Sequence, residues 1–160
     1  MLPSLGNNRG IRRPFHGGYF LEPISSELIA AFQETLYCVN GCAPEITLRI
    51  GQHSPALAAE YQKLKVSSAA FITAWNPNSL PLPADVNNDR QKNLIARLVE
   101  MGIPFYLGEG SSPDGEWREP SLLALGIQKA AAQALAAQFE QIAFVYCDHD
   151  ATPELVMTNS

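Results

Sequence analysis

The chain has 160 residues, 46% hydrophobic and 17% charged. That length suits one domain with a short arm, and a composition this apolar excludes a disordered chain. Sixteen acids against eleven bases leave a net charge of -5, which excludes nucleic acid as the main partner through wholesale phosphate neutralisation.

Charge is unevenly distributed. Arg9, Arg12 and Arg13 stand without an acid among the first eighteen residues. From Val99 onward nine acids face only Arg118 and Lys129, and four of them fall between Glu109 and Glu119. Residues 1–22, rich in glycine and proline, read as a basic arm with no element of its own, and residues 23–160 as one domain. The start lacks the continuous apolar stretch of a signal peptide. No apolar run approaches the roughly 18 residues a membrane span needs. Three cysteines make a disulfide framework improbable. The expected setting is therefore the cytoplasm.

In chain order, Pro23 to Glu27 opens a helix that carries Leu28, Ile29, Phe32 and Leu36 to about Tyr37. Glu45 to Ile50 alternates as a strand with one wet face. Ser54-Pro55 starts a helix that runs to about Leu64. Ala69 to Trp75 is a near-continuous apolar run, the pattern of a central strand buried on both faces. Asp85 caps the next helix, which carries Leu94, Leu98 and Met101 and ends at Gly102 and Pro104. Phe105 to Leu107 is a short strand, Gly108 to Pro120 a glycine-rich acidic loop, and Ser121 to Leu125 a strand. A helix over Ile127 to Phe139, a strand over Ile142 to Cys147 and an edge strand over Glu154 to Met157 complete the order. Alternating strands and helices predict a single layered α/β domain with a mixed, mainly parallel central sheet flanked by helices.

Two loops are candidates for chemistry. The first follows the central strand, where α/β sheets collect ligands. Asn76 and Ser79 offer hydrogen bonds there, and Arg90 suits a carboxylate or phosphate. The second carries Trp117, a face for stacking, with Glu119 and Ser121 beside a buried strand. Partial burial suits Glu119 to proton transfer, which makes it the one catalytic candidate. The competing structural readings are a tight turn at Asn76 to Asn78 and a hairpin pinned by Trp117. Cys38, Cys42, Cys147 and His149 have zinc-like spacing, but Cys38 on a helix and Cys147 on a buried strand argue against a metal site.

Ala70-Phe71-Ile72-Thr73-Ala74-Trp75-Asn76-Pro77-x-Ser79, then Asn87/Asn88 and Arg90, then Pro113-x-Gly115-x-Trp117-x-Glu119-x-Ser121, then Gln141-x-Ala143-Phe144 form a pattern that resembles a bacterial family of small proteins defined by a domain of unknown function. The resemblance covers roughly Ala69 to Met157. It implies a compact intracellular domain and brings no activity or cofactor with it.

The leading expectation is a pocket between loops 76–90 and 108–121 that binds a polar or anionic, nucleotide-like small molecule. The alternative is a non-catalytic interaction or regulatory module, in which the acidic loop meets a basic partner or the basic arm docks on a neighbouring subunit of a homo-oligomer. Coordinates placing Trp117 and Asn76 on opposite sides of the sheet would count against the shared pocket.

Overall fold

The computed structural model describes residues 24–42 and 44–159 in full. Of the segment before them it describes the backbone of two short strands, β1 (Arg13–Phe15) and β2 (Gly18–Phe20). These pair antiparallel as a separate ribbon, so the arm does carry an element. The side chains of Arg9, Arg12 and Arg13 lie outside the described residues.

The domain follows as α1 (Ser26–Glu34), β3 (Leu36–Val39), β4 (Ile46–Leu48), α2 (Pro55–Leu64), β5 (Ala69–Ile72), a 3-10 turn (Pro77–Ser79), α3 (Ala84–Glu100), β6 (Phe105–Ser111), β7 (Arg118–Leu125), α4 (Lys129–Gln138), β8 (Ala143–Cys147) and β9 (Pro153–Met157). Seven strands form one sheet in the order β4-β3-β6-β7-β5-β8-β9. Every pairing in it is antiparallel.

The expected mainly parallel sheet is therefore overturned, and the reason is topological. Helix α3 does join two strands of the same direction, β5 and β6, but β7 lies between them. Helix α4 likewise joins β7 and β8 around β5. Each helical crossover thus straddles an antiparallel strand, as in split β-α-β folds.

Both faces of the sheet are covered, and strand alternation sorts the side chains between them. On the first face, Ala70, Ile72, Leu122, Ala124, Phe144 and Tyr146 meet Leu94 and Leu98 of α3 and Leu135 of α4. On the second, Phe71, Leu123, Leu125, Val145 and Cys147 meet Leu57 and Tyr61 of α2. Phe32 of α1 closes that face against Ala143. This explains why all of β5 is buried.

Three local expectations also need correction. The first helix ends at Glu34, and Leu36–Val39 is a strand. Thr35 is extended and its hydroxyl donates to Ala31 O, which stops the helix. Cys38 is therefore a strand residue. Asp85 caps nothing: the N-cap of α3 is Pro83, without a side-chain bond. The acidic loop is much shorter than expected, because β6 runs to Ser111 and β7 begins at Arg118. Among the described residues, no helix is long and apolar enough to cross a membrane.

Three phenols on the second face make stability pH-dependent. Tyr37 donates to Phe32 O and Tyr61 to Cys147 O. Burial raises both above the usual phenol range. Tyr106 donates to Glu60, and that hydrogen bond to a carboxylate pushes it up to about 12. In the unfolded chain these phenols ionise near pH 10. The stability they contribute is present below pH 10 and is lost as pH rises towards 12. Urea midpoints should hold steady from pH 8 to 9.5 and then fall, with a shallower fall in Tyr106→Phe.

Candidate functional site

The buried stripe of α3 is half amide and half leucine. Asn87, Gln91, Leu94 and Leu98 are its buried residues. The two leucines enter the core, and the two amides enter the loop after β5.

Asn76 N–H donates to Asn87 Oδ1 at 2.8 Å, and Asn87 Nδ2 donates to Asn76 Oδ1 at 2.7 Å. Leu82 N–H also donates to Asn76 Oδ1, and Asn87 Nδ2 to Leu82 O. Arg90 Nε donates to Ala74 O at 2.9 Å, and its Nη2 donates to Phe139 O at 2.7 Å, at the C-terminus of α4. A guanidinium there also meets the negative end of the helix. Gln141 Nε2 donates to Trp75 O, and Asn78 N–H to Glu140 O.

This network holds a costly backbone. Asn76, Asn78 and Ser79 all have positive φ, at 47°, 54° and 61°. Such conformations persist only where surrounding structure over-determines them. Ser79 Oγ is buried with no hydrogen-bond partner. Asn76 and Arg90 are thus brought together, as parts of one latch.

The other three candidates share the second face. Glu119 pairs across the sheet with Gly110, which pairs with Tyr37. Ser121 pairs with Gly108, which pairs with Val39. Two glycines therefore form the middle of a three-strand floor. A Cβ on Gly110 would lie 3.5 Å from the Trp117 ring and 3.6 Å from the Thr35 methyl. Trp117 thus lies over Gly110, in the row that carries Glu119. Behind it, Tyr37 and Phe71 meet edge to face, with centroids 5.3 Å apart.

Trp117 is set by a compact turn. Its N–H donates to Ser112 Oγ, and Ser112 N–H donates to Trp117 O. Ser112 Oγ donates to Asp114 Oδ1, as does Glu116 N–H. The Ser112 hydroxyl, followed by the Glu116 N–H, holds the Asp114 carboxyl below its usual range. Glu119 has no exposed surface, and Ser121 is buried. Ser121 Oγ donates to Glu119 O at 3.2 Å.

The two loops meet through Pro120. Thr73 Oγ1 donates to Pro120 O at 2.7 Å. Gln91 Nε2 donates to the same carbonyl at 3.4 Å, while Gln91 Oε1 accepts from Ala74 N–H. Beyond Ile72, β7 has no strand neighbour on that side. Thr73 and Gln91 complete that edge and fix the segment between Glu119 and Ser121. The Asn76 loop is tied to the helix of the first face, whereas Trp117 and Glu119 project onto the second. The structure joins the two sets through backbone rather than around one opening.

Sequence reasoning missed the roles of Thr73, Gln91, Gly110 and Tyr37. Helical spacing back from Leu94 through Gln91 to Asn87 was the available signal. Cys38 faces the first side of the sheet, opposite Cys147. Burial pushes the Cys147 thiol up to about 12, and Cys42 is raised as well. Among the described residues, no group of three His, Cys, Asp or Glu side chains is placed to hold a metal ion.

The polar residues of the latch and of the glycine floor lie in one stretch of chain, and a family model covers it. Residues 72–144 match the family described as Protein of unknown function (DUF3293). The DUF3293 match takes in Asn76, Asn87, Arg90, Gln91, Trp117, Glu119 and Ser121, and it stops within β8. No curated protein and no solved structure matches the chain.

Proposed function

We propose that this domain is a binding module for a small polar ligand, and that the ligand meets the Trp117–Glu119–Ser121 side of the sheet. The observation that carries this reading is the half-buried Trp117 ring, held by the Ser112–Asp114 turn over Gly110 in the cross-strand row of Glu119. Asp114 and Glu116, in the turn that sets Trp117, favour a cationic group beside that ring. Trp117 offers a face on which a guanidinium or quaternary ammonium can stack. The ligand class is therefore a small molecule or side chain bearing an amine or guanidinium. Arg90 already donates to two carbonyls, so its part is to hold the latch. In any turnover at this site Glu119 would be the proton-transfer group.

Titration of a Trp75→Phe chain with acetyl-arginine amide, followed by Trp117 fluorescence, tests the reading. Saturable change is expected with the arginine compound and none with AMP at equal concentration. The response should be lost in Glu119→Gln. A response to AMP alone would return the reading to an anionic ligand.

A further inference from the structure

Strand β4 ends the sheet, and beside it lies a cleft of about 330 Å³. Glu45, Thr47, Arg49, Gln52 and His53 line it, together with the start of α2. None of these residues belongs to the Trp117 side of the sheet described above. We propose that this cleft is a second binding site, for a small sugar phosphate. Arg49 and His53 would hold the phosphate, and Glu45 would accept from a hydroxyl at the far end.

The strand lays out the side chains. From Glu45 to Arg49 burial alternates, with Ile46 and Leu48 in the core and Glu45, Thr47 and Arg49 exposed. The three therefore share one face of the strand, with the two charges roughly 13 Å apart along it. Among the described residues, Arg49 is in no ion pair, whereas Arg97, Arg118 and Lys129 are each paired with an acid. A free guanidinium is the side chain best shaped for two phosphate oxygens.

The facing wall is held in place. Gly51 N–H donates to Pro153 O, Gln52 N–H to Arg49 O and Ser54 N–H to Ala151 O. His53 Nδ1 lies 2.7 Å from Asp150 O. A carbonyl only accepts, so Nδ1 carries the proton and donates, which leaves Nε2 for a ligand. The Asp150 carboxylate is occupied within its own turn, accepting from Thr152 N–H. Ser54 Oγ already accepts from Leu57 N–H at the start of α2, so the attraction for an anion comes from the side chains of Arg49 and His53.

His53 favours phosphate over carboxylate. Neutral, its Nε2 needs a donor, and a phosphate monoester, whose second pKa is about 6, supplies a P–OH. Protonated, it donates to a phosphate oxygen. A carboxylate serves only the second state. The cleft volume is at the small end of the range for ligand sites, roughly 300–1,000 Å³, and its polar lining suits a hydroxylated body.

Isothermal titration of the full-length chain with ribose 5-phosphate tests the proposal, with ribose and gluconate as controls. Saturable binding is expected for ribose 5-phosphate, and binding at least tenfold weaker for both controls. Arg49→Gln should weaken it at least tenfold. So should His53→Asn, whose amide can still donate to Asp150 O but lacks the outward nitrogen. Both residues are exposed, so both variants should melt within about 2 °C of wild type. Glu45→Gln should weaken ribose 5-phosphate about threefold and leave inorganic phosphate unchanged. Lys92→Gln, on the exposed side of α3, and Trp117→Ala should bind as wild type does. No binding to wild type, or unchanged binding in Arg49→Gln, overturns the proposal. Gluconate binding as tightly as ribose 5-phosphate overturns the phosphate assignment. An equal loss in Lys92→Gln reduces the effect to general charge attraction and overturns the site. A loss in Trp117→Ala alone moves the ligand to the other site and overturns this one. None of these results bears on the response of Trp117 to acetyl-arginine amide, so the two sites stand or fall separately.

Discussion

Asn87→Ala should be among the most destabilising single changes in this domain. It removes the acceptor of Asn76 N–H and the donor to Asn76 Oδ1 and Leu82 O. Leaving a buried polar group unsatisfied costs about 1–3 kcal/mol. Asn76, Asn78 and Ser79 would then hold their positive φ values without the latch that imposes them, and each such conformation stores roughly 1–3 kcal/mol. A loss of about 3 kcal/mol is expected, which for a chain of this size lowers the melting temperature by roughly 6–12 °C. Differential scanning calorimetry measures it directly. Asn88→Ala, one residue along on the exposed side of the same helix, should change the melting temperature by no more than about 2 °C, as surface changes usually do. Equal losses for the two would remove the latch as the explanation.

Gly108→Ala should be comparably damaging, for a steric reason. A Cβ there would stand 2.5 Å from the Cys38 carbonyl oxygen and 3.1 Å from the Phe71 ring. The first neighbour is backbone held in the ladder between β3 and β6, so it cannot swing aside. Overpacking of this kind costs about 1–3 kcal/mol, and more where backbone must move. Gly110→Ala provides the contrast. Its new methyl would make ordinary contact with Trp117 and Thr35. It should leave the melting temperature within about 3 °C, as small overpacking does, yet shift Trp117 fluorescence. Denaturation curves for the two variants separate a clash with fixed backbone from ordinary contact with an aromatic ring.

Much of the fold was legible where one physical signal stood alone. Ser54-Pro55 marked α2, Gly102 marked the end of α3, and apolar runs marked β5, β8 and β9. The misreadings occurred where two signals overlap. Leu36 continues the helical spacing of Leu28 and Phe32, so β3 was hidden at the end of α1. Gly108, Gly110 and Pro120 are poor strand formers, yet they sit in β6 and β7 because cross-strand pairing overrides propensity. Strand pairing itself left no local trace. A crossover helix looks the same whether or not another strand slips between the two it joins.

The candidate site was legible in composition rather than in geometry. Trp117, Glu119 and Ser121 alternate by two, the spacing that puts them on one face of a strand. With a loop expected there, that alternation carried no directional meaning. Asn76 and Arg90 were singled out as ligand-binding residues, and the partners the structure gives them are backbone groups, the Asn87 amide and the Glu140 carboxylate. Polar residues that lock a strained turn and polar residues that hold a ligand have the same composition. Only the partners tell them apart.

The interleaving of β5 has a kinetic consequence. Ala69–Ile72 pairs with β7 and β8, some fifty and seventy residues further along. During synthesis the most apolar strand of the sheet therefore emerges well before either neighbour exists. Non-local pairing of this kind slows folding and exposes sticky edges meanwhile. The nascent chain has to keep a hydrophobic ribbon out of trouble until Cys147 has left the ribosome. Slow refolding and a dependence on chaperone capacity during overexpression are the expected signatures.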